Sequence, residues 1–309
     1  WRGALAAPGI RGSLFNTVKV VVAVQGITFP LALVLAWLLA RTDLPGRSWL
    51  EFGFWVGFFL PSLGVTLGWI LFLDPNYGLL NMALQRLWFI NESVFNIYSY
   101  WGIVFVHVGT ISLVIKVMLF TPLFRNMDTS LVEASRVAGA GITRTAFRVV
   151  LPLMFPSLLV IFLLGTVAGM NAFEVEQILG VPARFYVYST KIFGFVRASP
   201  AEFDNATVLG VLVLAALVPF IILQQVFTRR RYTTVSGQMR TQPMALRRWK
   251  WPAFGLMVAI LSFVTVLPIG FMFMGGFMNL FGFFSLENVW TTRHWGEVLS
   301  DSTFRIAFK

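Results

Sequence analysis

Cysteine is absent from the 309-residue chain, and histidine occurs only at His107 and His294. The first absence excludes disulfides, thiolate nucleophiles and cysteine-bound metal. The second leaves no multi-histidine metal site within the chain. Charge is scarce: Asp, Glu, Lys and Arg make up 12% of the residues, about half the share of a soluble domain. No G-x-x-x-x-G-K-[ST] run occurs, so no P-loop holds a nucleotide. Apolar residues supply 57% of the chain, and mean hydropathy is +0.77. Such a chain cannot cover its own surface with polar groups in water. A lipid bilayer removes that difficulty.

A helix crosses the hydrocarbon layer with about 20 apolar residues. Six runs meet that length: 20–40, 52–73, 93–115 (apolar past Lys116 to about Leu123), 149–173, 205–228 and 251–286. The last exceeds one crossing. Pro268 and a Gly/Phe-rich exit at 275–284 predict one span followed by an interfacial stretch. The expected fold is an all-α membrane protein, a polytopic bundle of six spans. Its connectors 41–51, 122–148 and 229–250 carry thirteen Lys and Arg against four acids. The opposite side, leaving out Lys19 and Lys116, carries nine of each. The positive-inside bias puts the three basic connectors in the cytoplasm. This accounts for most of the net charge of +11 with no nucleic-acid partner. Gly64 and Gly68 in the second span, and Gly165 and Gly169 in the fourth, put small faces where helices approach closely.

Residues 229–250 form a basic linker between two membrane units. A weak echo agrees: Trp1 and Leu5 return as Trp295 and Leu299, offset by 294 residues. The expected organisation is five spans of a first unit in 1–228, the linker, and the opening span and outer loop of a second unit in 251–309. Both ends, Trp1 and Lys309, read as cut.

The connector 122–150 contains Glu133-Ala134-Ser135, then Gly139, then Val149, Leu151 and Pro152. Asp128 and Ser130 are placed to cap a helix beginning near Leu131, with Glu133 in its first turn, where the dipole favours an acid. Ala134 and Ala138 share one small face, and Gly139 and Gly141 end the helix or turn the chain. The spacing resembles the cytoplasmic EAA loop of membrane subunits of binding-protein-dependent ABC importers. Ser135 stands for the second Ala and Val149 for Ile. Phe147 and Pro156 also sit where such loops carry them. The resemblance implies that Glu133, Ala134, Ser135, Gly139, Leu151 and Pro152 dock in a cleft of a separate ATPase subunit. It implies a soluble periplasmic or extracellular binding protein at the outer loops 74–99, 174–204 and 276–309. It also implies residence in the bacterial inner membrane, no cofactor, no metal site, and no catalysis by the chain itself.

The stretches Leu73 to Asn81, Phe173 to Pro182 and Tyr188 to Ile192 resemble the ferric-iron branch of these permeases, often two fused halves. Thiamine, polyamine and phosphonate permeases share much of them. Among rival classes, a secondary transporter would work without an ATPase, but no span carries an acidic proton relay. A membrane-embedded enzyme would need a ligand cluster or a triad that the spans do not offer.

Four residues are candidates for the substrate path. Glu174 and Glu176 fall about 35 Å along an ideal helix from Leu151, at or beyond the outer face, where carboxylates would meet a cation or contact the binding protein. Lys116 lies within a span, where charge is costly; it either serves the path, bonds between spans or snorkels to the cytoplasmic interface. Asn171 either lines a cavity or caps its helix, and Gln25 is similar. His107 is expected to be a bonded packing residue.

Overall fold

The computed structural model describes residues 9–88, 92–127, 130–229, 244–284 and 286–307. Asp128, most of the linker (230–243), Trp1, Leu5 and the last two residues lie outside them. The described chain is helical, with two isolated β-bridges, Thr42 with Met244 and Met278 with Trp290. The helices are α1 Ile10–Arg41, α2 Arg47–Phe58, α3 Ser62–Leu73, α4 Leu79–Trp88, α5 Tyr100–Val108, α6 Ile111–Arg125, α7 Ser130–Val137, α8 Leu151–Met170, α9 Tyr188–Arg197, α10 Phe203–Arg229, α11 Lys250–Leu261, α12 Leu267–Gly276, α13 Arg293–Ser300 and α14 Ser302–Ala307. Among the described residues, five stretches are long and apolar enough to cross a membrane: 10–41, 100–125, 147–170, 203–227 and 247–276.

The second expected span is not one straight helix. α2 and α3 meet at 97°. Pro61 caps α3 in extended backbone (φ −67°, ψ 127°), and a proline turns its predecessor away from helix. Together the pair is long and apolar enough for one span. α2 packs on α6 and α11, whereas α3 packs on α5 and α12, so the two halves occupy opposite ends of the same bundle.

The described parts of the three basic connectors meet at one end, in keeping with the charge pattern. Arg125 pairs with Glu51 at 2.7 Å, and Arg41 donates to the Met127 carbonyl. Asp43 accepts the Leu246 N–H at 2.8 Å and pairs with Lys250 at 3.3 Å. At the other end, Tyr100 donates to the Lys19 carbonyl and Asn16 to the Tyr186 carbonyl.

The Asp43 contacts strap the end of the linker onto the first span. The Leu246 N–H, aided by Lys250, holds the Asp43 carboxyl below its ordinary value of 3.8. A carboxylate with a lowered value stabilises the fold above the ordinary value and loses that contribution as pH falls through the lowered one. Spin labels at Arg47 and Arg248 are therefore expected to give a narrow distance distribution at pH 7 that broadens below pH 3.8. Asp43→Ala should broaden it at pH 7. A distribution unchanged by either would show that the strap contributes nothing.

Among the described residues, the buried apolar side chains form three clusters along the bundle. α1 packs along α5, α6 and α8. Gly169 faces Val21, and Gly68 lies against the Pro268 carbonyl, so the small faces read from sequence are indeed close-packing surfaces. Trp69 is buried among Phe72, Phe105, Phe263 and Phe271, joining α3 and α5 to the last span.

Candidate functional site

The connector between α6 and α8 projects from the basic end. α7 carries Glu133 and Ala134, both exposed, and Val137 is 91% exposed. Gly139 ends the helix at φ +81°. The Ala140 N–H bonds the Ser135 carbonyl at 3.0 Å, the six-to-one closure of a Schellman motif. Only a glycine takes that left-handed position without strain. The Ser135 hydroxyl meets the Thr145 hydroxyl at 2.9 Å and ties α7 to the one-turn helix Ile142–Thr145. The chain continues through a π-helical turn, Ala146–Val150, into α8. Pro152 follows closely on that π turn. Leu151 packs against the core beside it. An exposed short helix is thus mounted rigidly on a span.

Deeper in the bundle the structure corrects the expected positions of Glu174 and Glu176. α8 stops at Met170, so the chain does not carry both residues out along one helix. Asn171 caps its end: the side-chain amide donates to the Val167 carbonyl at 2.9 Å and its oxygen accepts from Tyr188 Oη at 2.9 Å. The following segment packs back against α5. Glu176 is 1% exposed and lies 2.7 Å from His107 Nε2. His107 is therefore the bonded packing residue expected of it. Glu174 stays exposed and accepts from the Ser62 hydroxyl at the bend between α2 and α3.

Lys116 does not snorkel. It is 2% exposed and donates to the Ser112 carbonyl at 2.8 Å, one turn back along α6 and away from the cytoplasmic end. It lines a cavity of about 20 Å³ with Gln25, His107, Gly165 and Gly169. Of the four path candidates, the structure brings Glu176 and Lys116 to the same region through His107. It leaves Asn171 at a helix end and Glu174 at the bend. Among the described residues, no cluster of three His, Asp or Glu side chains is placed to hold a metal ion.

The chain shares its fold with chains of solved ABC transporters. A chain of the bacterial alginate ABC transporter, crystallised with a pentasaccharide-bound periplasmic protein, superposes with TM-score 0.60 at 19% identity, covering 73% of this chain and 80% of that one. The chain is a relative of ABC transporter permease proteins. It is 23% identical to a probable ABC transporter permease, y4fN, of Sinorhizobium fredii over 97% of this chain and 52% of that protein. It is 26% identical to a putative ferric transport system permease of Haemophilus influenzae over 74% of this chain and 35% of that protein. It is 22% identical to the molybdenum transport system permease of Escherichia coli over 63% of this chain and 83% of that protein. The chain thus spans about half the length of y4fN and about a third of the ferric permease. No family profile matches it.

Proposed function

We propose that the chain is the larger part of the first unit, with the opening of the second, of a fused permease that carries ferric iron across the bacterial inner membrane. ATP is hydrolysed on separate ATPase subunits, which grip α7 through Glu133, Ala134, Ser135 and Gly139 and act on the span through Leu151 and Pro152. A soluble binding protein delivers cargo to the outer loops. The chain itself catalyses nothing; it shapes a path whose open side alternates.

The observation that carries this reading is the spaced motif from Glu133 to Pro152 on an exposed helix at the end where the basic connectors meet. The two-unit arrangement is supported by the twofold greater length of y4fN and by the strap that fastens residues 244–250 to the first span. In this reading α11 and α12 belong to the second unit and pack across α2 and α3 of the first. Ferric cargo is supported by the ferric permease relatives of two organisms and by the exposed Glu174 carboxylate at the bend. The molybdenum permease, with fuller coverage of its own length, favours an oxyanion as the second reading.

Purification of the whole protein from its native operon tests the assignment. An ATPase should co-elute with wild type and be largely lost with Gly139→Trp, which strains the left-handed cap and blocks the small face. Wild type that elutes alone would overturn the importer reading. Binding-protein-dependent uptake of radiolabelled iron and molybdate then separates the two cargoes.

A further inference from the structure

The bundle interior holds an ammonium and a carboxylate that do not touch each other. Among the described residues, no carboxylate lies within ion-pair distance of Lys116. Glu176 spends one oxygen on His107, and its Oε2 is buried with no hydrogen-bond partner. Both arrangements are costly in a low-dielectric interior. His107 links them, because it bonds Glu176 and also lines the cavity that Lys116 faces.

Gln25 completes the cavity wall. Its Nε2 donates to the Phe162 carbonyl at 2.8 Å and to Thr166 Oγ1 at 3.1 Å, which fixes the amide. Its Oε1 is left buried and without a partner. Gln25 Oε1 and Lys116 Cε each lie 3.2 Å from where a Cβ on Gly165 would stand, so the two side chains converge on one space that glycine keeps open. About 20 Å³ exceeds the 10–15 Å³ that one water requires, and a buried water takes two to four polar partners. A water placed here would accept from the Lys116 ammonium and donate to Gln25 Oε1. An anion would meet Gln25 Oε1 unfavourably, and a metal cation would meet the ammonium.

We propose that the cavity is a water-binding site, and that its water joins Lys116, Gln25 and His107–Glu176 into one charge-balanced cluster locking α1, α5, α6 and α8 to the segment after α8. Lys116 and Glu176 then offset each other across the water and the imidazole, and each is harmful without the other.

The test is a double-mutant cycle on the whole protein in lipid nanodiscs, read as thermal unfolding with no ATP or cargo present, so its outcome is separate from that of the importer reading. Lys116→Met and Glu176→Gln are each expected to lower the midpoint by about 5 °C or more, at 2–4 °C per kcal/mol. The double variant should fall less than the more damaged single. Losses that add, or a silent Lys116→Met, would overturn the charge balance. Where a single variant does not accumulate, radiolytic hydroxyl labelling of wild type decides. Val20, Val21 and Val24, which line the cavity, should be oxidised by bound water despite their burial in the bundle. Their complete protection would overturn the water site.

Discussion

Glu133→Lys is expected to reduce ATP-driven uptake at least about tenfold while leaving the protein folded in the membrane. A tenfold loss corresponds to about 1.4 kcal/mol of docking free energy. Like charges facing each other across an interface cost several kcal/mol, so reversal of one charge at the centre of a docking knob is sufficient. Folding is spared because Glu133 is exposed on a short projecting helix; the cost inside the protein is its favourable place in the first turn of α7, about 0.3–1 kcal/mol. Uptake by the variant, compared with its membrane level on an immunoblot, checks the prediction. Glu133→Gln should be milder, since it removes the charge without reversing it. If Glu133→Lys transports normally, α7 is an amphipathic interfacial helix with no partner, and the motif has lost its meaning.

Trp69→Ala is expected to destabilise the protein by about 3 kcal/mol, the lower end of the range for a buried tryptophan. In lipid the water-driven part of that range is reduced, but close packing still holds helices together. Trp69 has an unusual share of it. Its ring centroid lies 4.8 Å from those of both Phe105 and Phe263, and Phe105 and Phe263 are themselves 5.2 Å apart. Removing the indole opens space where α3, α5 and the π-helical turn Ser262–Val266 meet. The last span should loosen first, seen as faster hydrogen exchange in 250–276 than in α1. Trp101→Ala, at a site 66% exposed, should change neither stability nor exchange. Equal effects of the two substitutions would show that the last span does not depend on this packing.

These two residues differ in how plainly the sequence announces them. Glu133 is visible because its motif is local: a cap, a first-turn acid, small residues one turn apart and a glycine stop all fall within a dozen residues. The spans are visible for the same reason, since apolar run length is a local property. The bend in the second span is announced only by Pro61, which the unbroken apolar run 52–73 masks. Hydropathy measures solvent preference and carries no information on helix direction. The contact between His107 and Glu176 joins residues 69 apart in sequence, so no local pattern reports it. Projecting α8 as an ideal helix carried both glutamates outward, whereas Asn171 stops that helix and Tyr188 holds the stop in place. Sequence leaves Lys116 open between the path, an inter-span bond and snorkelling, because no local pattern reports what a bundle offers a buried ammonium; here that is the Ser112 carbonyl and a polar cavity.

In the proposed reading, the span movements of this protein are driven through α7 by an ATPase. Reconstitution of the whole permease with its ATPase subunits and binding protein in liposomes tests it most directly. ATP is supplied on the side of the basic connectors and loaded binding protein on the other. The account predicts that cargo crosses only when ATP is hydrolysed, and that Glu133→Lys breaks this dependence with the ATPase still present. Cargo crossing at the wild-type rate with the ATPase omitted, driven by an ion gradient alone, would contradict it and make the protein a secondary carrier.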